Sequence, residues 1–164
     1  MDSKAIGIQL IRHRSFSFQE FSQRYQDVNR LGDIFEPIEL RSQCEDNRQS
    51  STEVIDPLVE VGPFSTTRAS HLIQDHFNNS HKLYNELLEL GVAREQARMV
   101  LPLATTTKIH MTGSIRSWIH FLELRDDSHA QKEIQLVAKE IKKHFKEQFP
   151  VVDRDWETDR KSVV

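Results

Sequence analysis

A chain of 164 residues with 37% apolar and 29% charged side chains fits a single globular domain with a core of useful size. It is too apolar for a disordered chain, and no apolar run approaches the ~20 residues that span a bilayer. The net charge of -3 argues against a general nucleic-acid binder, and one cysteine, Cys44, excludes an internal disulfide or a Cys-based metal site.

The opening stretch M-D-S-K-A-I-G-I-Q-L-I-R breaks its apolar run with charge and has no small-residue cleavage site, so a cytoplasmic location is expected. Residues 4–12 are short and apolar, compatible with helix or strand, and are read here as helix. Residues 26–64 hold Gly32, Pro37, Pro57, Gly62 and Pro63 with the polar run R-S-Q-C-E-D-N-R-Q-S-S-T. No period is sustained there, which predicts a long surface excursion with short ordered pieces. From Ser65 a Ser/Thr cap opens a helical pattern (Ala69, Leu72, Ile73, His76, Phe77, Leu83, Leu87, Leu90) that stops at Gly91.

A second helix is predicted from Ala93 to about Leu101, closed by Pro102. The β-branched run Thr105–Thr112 predicts a strand broken by Gly113. Ser114 then caps a helix through Leu124, and Asp126, Asp127 and Ser128 form a turn and cap before a long amphipathic helix from His129 to about Phe149. A capping role explains Asp126, Asp127, Ser128 and His129 better than a metal site, so no metal is expected. The pattern implies an α+β (mixed α/β) class, with long helices packed on a small mixed sheet. One domain covers 1–150, and 151–164 forms a tail outside it. Its end, D-R-K-S-V-V, matches the in-frame translation of a common sequencing adapter.

Arg12, His13, Arg14, Ser22 and Arg24 crowd into thirteen positions. Arginine forks pair bidentately with phosphate oxygens, and a hydroxyl with backbone N–H groups completes a phosphate cradle. The bland reading is a solvated basic edge over Phe16, Phe18 and Phe21. Two other classes of function use the same residues differently. A nucleic-acid-binding module would take phosphate contacts and base stacking from the Arg/Phe-rich 12–25 segment, and a helical interaction protein would need only the amphipathic helices.

The pattern R-H-R-x7-S at 12–22, with Arg24-Tyr25 after it, resembles the signature of the flavin-dependent thymidylate synthases. A-R-M-V-L-P-L at 97–103, T-G-S-I-R-S-W at 112–118 and F-L-E-L-R-D-D-S-H-A-Q at 121–131 resemble the C-terminal half of that family in order and spacing. The resemblance covers residues 4–150. It implies reductive methylation of dUMP to dTMP, with FAD as cofactor, methylenetetrahydrofolate as carbon donor and NADPH as reductant. It also implies a homotetramer with shared active sites, acting on neither nucleic acid nor membrane.

Residue by residue, the resemblance implies that Arg12, His13 and Arg14 contact FAD, with Arg12 also bordering the nucleotide. Gln9, Glu20, Phe21, Ser22, Gln23 and Arg24 line the dUMP site, and Arg98 reaches dUMP from a neighbouring subunit. Ser114, Ile115 and Arg116 match a flavin triplet whose first residue is asparagine in some relatives, and His120 replaces another asparagine. For His120 a packed or solvated helix histidine is the alternative, and for Arg98 a helix-surface arginine. Arg125 matches the arginine that pairs with the uracil ring, whose fixed charge would stabilise the ring anion and make it the catalytic residue. Its alternative is a helix C-terminal arginine on the macrodipole. Relatives carry a further segment before R-H-R that includes sheet strands, so these residues alone are expected to be poorly soluble and to show little or no activity.

Overall fold

The computed structural model describes residues 2–48 and 50–150. The expectations for 151–164, a tail outside the domain with an adapter-like end, fall outside the described residues. The class is α+β, as the sequence implies. Among the described residues the sheet component is four separate two-stranded antiparallel pairs in place of one small mixed sheet.

In chain order the elements are β1 (Asp2–Ser3), α1 (Lys4–Leu10), β2 (Phe16–Glu20), a 3-10 turn Val28–Leu31, β3 (Arg41–Gln43), β4 (Ser51–Val54), β5 (Leu58–Gly62) and β6 (Ser65–Arg68). They continue as α2 (Ala69–Glu89), α3 (Arg94–Ala97), a 3-10 turn Arg98–Val100, β7 (Thr106–Thr107), β8 (Ile109–Gly113), α4 (Ile115–Arg125) and α5 (Lys132–Gln148). β1 pairs with β7 and β2 with β8, so the two ends of the domain meet in both pairs. β3–β4 and β5–β6 are local hairpins.

α1 forms where helix was expected, although its N-cap Ser3 provides no side-chain cap. Its first amides are satisfied tertiarily instead: Lys4 N–H donates to the Thr105 carbonyl (2.9 Å) and Ala5 N–H to that of Leu103 (3.1 Å). The excursion at 26–64 is more ordered than its composition implies, because both hairpins fall in or overlap it. The second hairpin takes Ser65–Arg68 as a strand, so α2 opens at Ala69, not at a Ser/Thr cap. α2 ends as predicted at Gly91, whose φ of 83° suits glycine. Gly91 N–H donates to Leu88 O and Val92 N–H to Leu87 O, a Schellman closure in which Val92 and Leu87 pack on the same core.

Ser114 caps α4, accepting from Ser117 N–H at 3.2 Å. α5 begins at Lys132, three residues later than expected. The cause is local: the Asp127 carboxylate accepts from His129 N–H at 2.8 Å and the Asp127 carbonyl from Ala130 N–H, closing a separate turn before the helix. Lys142 Nζ donates to Asp126 Oδ2 at 2.7 Å, tying the end of α4 to the middle of α5.

Two cores result. The first gathers Ile6 and Leu10 of α1, Phe16 of β2, Phe121 and Leu122 of α4, and Ile134, Ala138 and Phe145 of α5. The second gathers Val28, Tyr84 and Ala97, with Leu87, Val92 and Leu101 against them. In the first, the Phe16 ring meets Trp118 (centroids 4.8 Å) and Phe121 (6.1 Å) edge-on. Phe16 stands opposite Gly113 in the β2–β8 register, and a Cβ on Gly113 would lie 2.5 Å from its ring. Gly113→Ala is therefore expected to lower the unfolding free energy by about 1–3 kcal/mol through overpacking. A denaturant midpoint equal to that of the parent chain would show that the ring is free to move.

Candidate functional site

The sequence-predicted residues gather in two places. The first lies at the rim of the α1–α4–α5 core. Arg125 is the last residue of α4, and its Nε donates to His13 Nε2 at 2.9 Å while Nη2 points to the Gln9 carbonyl at 3.5 Å. His13 follows α1 in the turn before β2, and its ring packs edge-on against Phe121 (centroids 4.9 Å). Phe121 is fully buried one helical turn before Arg125, so the core that fixes α4 also fixes the histidine and the guanidinium. Gln9 donates through its side chain to Gln131 Oε1, linking α1 to the residue that opens α5.

The Arg125–His13 bond constrains chemistry as well as position. Nε2 accepts only when His13 is neutral and carries its proton on Nδ1. Burial, reinforced by the charges of Arg125 and His120, lowers the His13 pKa below the ordinary 6.5 and favours that form. Burial and then the charge of Arg12 lower the affinity of Arg125 for its own proton, so positive charge accumulates at this rim. Among the described residues no carboxylate pairs with Arg125. A half-buried arginine without a counter-anion, with Arg12 beside it, is a place that gains from an incoming negative charge.

The second gathering lies on the other core. Arg24 Nη2 pairs with Glu95 Oε2 at 3.1 Å, and its guanidinium lies over the Tyr25 ring at 5.6 Å. Arg98 Nε donates to the Glu95 carbonyl at 3.3 Å, so Arg24 and Arg98 meet on one residue within a single chain. Ser22 opens the turn that carries Arg24, its carbonyl accepting from Tyr25 and Gln26 N–H. Gln23 is 7% exposed and its Nε2 has no partner, a buried donor that a bound acceptor would satisfy. Glu20 is committed to structure: its Oε1 accepts from Lys4 Nζ (2.6 Å) and Thr107 Oγ1 (2.8 Å).

The residues expected to face a flavin are more open. Arg14, Arg116 and His120 are exposed, Ser114 is engaged as the α4 cap, and His120 stands 3.9 Å from Glu123. Arg116 and His120 are four apart on α4 and share a face. Arg12, Arg14 and Arg116 make no ion pair with a described carboxylate, so this donor set suits a ligand with phosphate groups and a hydrogen-bonding ring edge.

Glu95 and Gln131 are the residues that sequence reasoning missed. Glu95 sits three positions before Arg98 in R-E-Q-A-R, and that spacing on a helix was an available signal. Gln131 had none, because it meets Gln9 across 122 residues.

The family model described as thymidylate synthase complementing protein matches residues 3–151. Among curated relatives, the flavin-dependent thymidylate synthase of Synechocystis sp. is 41% identical over 150 residues, covering 92% of this chain and 65% of that protein. The probable flavin-dependent thymidylate synthase of Paramecium bursaria Chlorella virus 1 is 40% identical over 156 residues, covering 94% and 68%. That of Thermosipho africanus is 41% identical over 145 residues, covering 88% and 60%. The chain thus spans about two thirds of the length of these relatives. With a family model that matches nearly every described residue and relatives 40–41% identical over most of its length, the chain belongs to the thymidylate synthase complementing protein family.

Proposed function

We propose that this chain is the greater part of a cytoplasmic flavin-dependent thymidylate synthase that converts dUMP to dTMP. In this reading it takes its carbon from methylenetetrahydrofolate, uses FAD with NADPH as reductant, and works as a homotetramer with shared sites. The observation that carries the reading is Arg125, a half-buried guanidinium seated on His13 and the Gln9 carbonyl with no described carboxylate to neutralise it. A uracil ring that loses its N3 proton is the anion such a group would hold, and a fixed positive charge there favours the ionised, more nucleophilic ring.

A bound flavin supplies the redox chemistry. The residues of this chain orient and neutralise. Arg12, Arg14, Arg116 and the two histidines at positions 13 and 120 would hold the cofactor, and the uncommitted charge of the three arginines fits that role. Ser22, Gln23, Arg24 and Arg98 would take the dUMP phosphate, where the unpartnered Gln23 amide is an additional donor. Glu20, already bonded to Lys4 and Thr107, would shape the nucleotide site more than bind through its charge. Phe16, a ring that a nucleic-acid-binding reading needs for stacking, is buried in the core, which supports the nucleotide reading.

Calorimetric titration of the chain with dUMP tests the proposal. Arg125→Gln is expected to weaken binding by about 10- to 100-fold, the loss of a charge-assisted hydrogen bond, while circular dichroism stays unchanged. Binding equal to that of the parent chain would refute the role of Arg125.

The Glu95 contact generates a second expectation. Arg24 and Glu95 have side chains 51% and 48% exposed, so their pair is worth only ~0.2–1 kcal/mol, yet a phosphate on Arg24 must displace the carboxylate. Glu95→Gln is expected to tighten dUMP about 1.5- to 5-fold and to leave deoxyuridine, which lacks the phosphate, unchanged. Weaker dUMP binding would mean that Glu95 holds the arginines in place instead of competing for them.

The His13 bond generates a third, in pH. Because the folded chain holds His13 below 6.5, the unfolded chain takes up its proton first as pH falls. The stabilisation by neutral His13 is full above about 6.5 and is lost as pH drops through the lower folded value. Denaturant midpoints between pH 7 and pH 5 should fall more steeply for the parent chain than for His13→Gln, which keeps an acceptor but does not titrate. Parallel slopes would show that the bond does not depend on the neutral form.

A further inference from the structure

The polar run 41–52 has no part in the proposed reaction, yet the fold uses it to build one wall of a cavity. The β3–β4 hairpin faces the start of α5 across a groove of about 460 Å³. That is within the ~300–1,000 Å³ typical of small-molecule sites. Arg41, Arg48, Lys132 and Lys139 line it together with hydroxyls of Ser51, Thr52 and Ser128, and its lining contains no Asp or Glu. In a chain of net charge -3 an acid-free cavity with four cations departs from the mean surface.

The cations divide by their partners. Arg41 pairs with Glu39 (2.9 Å) and with Glu133, and Lys132 reaches Glu39 at 2.6 Å, so these two are largely neutralised and brace the hairpin on α5. Arg48 and Lys139 make no ion pair with a described residue. They stand on opposite walls, one on the hairpin loop and one at the start of the third turn of α5. Gln43 holds the loop in shape, its Nε2 donating to the carbonyls of Cys44, Asn47 and Ser50 at 3.2, 3.1 and 2.9 Å. The N-cap residue Gln131 makes no side-chain cap, and the positive end of the α5 dipole opens on the same space.

We propose that this groove is a subsite for a small, multiply charged anion, held between Arg48 and Lys139 with the serine and threonine hydroxyls completing its hydrogen bonds. No aromatic side chain lines it, so it offers no stacking platform for nucleic-acid bases, and its chemistry is that of phosphate or carboxylate groups. The ligand would lie against Gln131, one hydrogen bond from Gln9 and two from Arg125. The inference does not depend on the identity of the nucleotide bound there.

The test is titration of the full chain with sodium tripolyphosphate and, separately, with a triglutamate peptide, read by calorimetry and by hydrogen exchange of segments 50–52 and 128–132. Arg48→Gln/Lys139→Gln should weaken the tighter probe at least tenfold and abolish protection of both segments. The charge-matched control Lys82→Gln/Lys143→Gln, on exposed residues outside the groove, should change affinity less than twofold. All variants are surface changes, and equal denaturant midpoints confirm that each folds. Preference for tripolyphosphate identifies a phosphate-bearing ligand, and preference for triglutamate a polycarboxylate one. Equal weakening in both double variants, or no protection of the groove segments at millimolar probe, overturns the proposal.

Discussion

The hydrogen bond from Arg125 to His13 is the contact on which the organisation of the first gathering depends. It joins the last residue of α4 to a turn 112 residues earlier, and the histidine at its other end packs on buried Phe121, one helical turn before Arg125. A guanidinium on a long side chain carries about 2 kcal/mol of rotamer entropy, and most of that is lost before any ligand arrives when its base is locked on a neutral imidazole. The hydrophobic core thereby becomes an electrostatic device: packing fixes α4, α4 fixes Arg125, and His13 with the Gln9 carbonyl sets the orientation of its guanidinium.

Around that device the charges are sorted. Carboxylates neutralise Lys4, Arg24, Arg41, Lys132 and Lys142, all of which brace one element on another or hold a turn. Arg12, Arg14, Arg116 and Arg125 have no such partner among the described residues. A modest negative net charge is therefore compatible with strongly positive local ground, and the whole-chain figure is a poor guide to what binds. The Arg24–Glu95 pair is intermediate, because it is exposed enough to break when a stronger anion approaches.

Much of this was legible in the sequence, for reasons that can be named. The ends of α2 and α4 were readable because glycine at positive φ and a serine cap are local devices that act within a few residues. The R-H-R turn and the α4 arginine stood out in the sequence because fixed-charge, five-donor side chains rarely cluster without an anion to hold, and the fold brings His13 and Arg125 together. The β3–β4 and β5–β6 hairpins were not. Ser65–Arg68 reads as a helix cap until Leu58–Gly62 is there to pair with it, and strand propensity in so polar a stretch depends on that partner. The start of α5 was misplaced by three residues because Asp127 closes a turn of its own, a choice between two equally local hydrogen-bond patterns.

The contacts hidden from the sequence are also those that bind the site to the rest of the fold. Gln9 with Gln131, Arg41 with Glu133 and Asp126 with Lys142 all converge on α5 from α1, the first hairpin and the end of α4. α5 has an apolar face in the first core, and its first turns also carry Gln131, Lys132 and Glu133 toward three different partners. A shift of one turn along that helix would move the wall of the cationic groove and, through Gln131 and Gln9, the carbonyl that steadies Arg125. The groove and the arginine are thus joined through α5 by a short chain of hydrogen bonds even though their charges are separate.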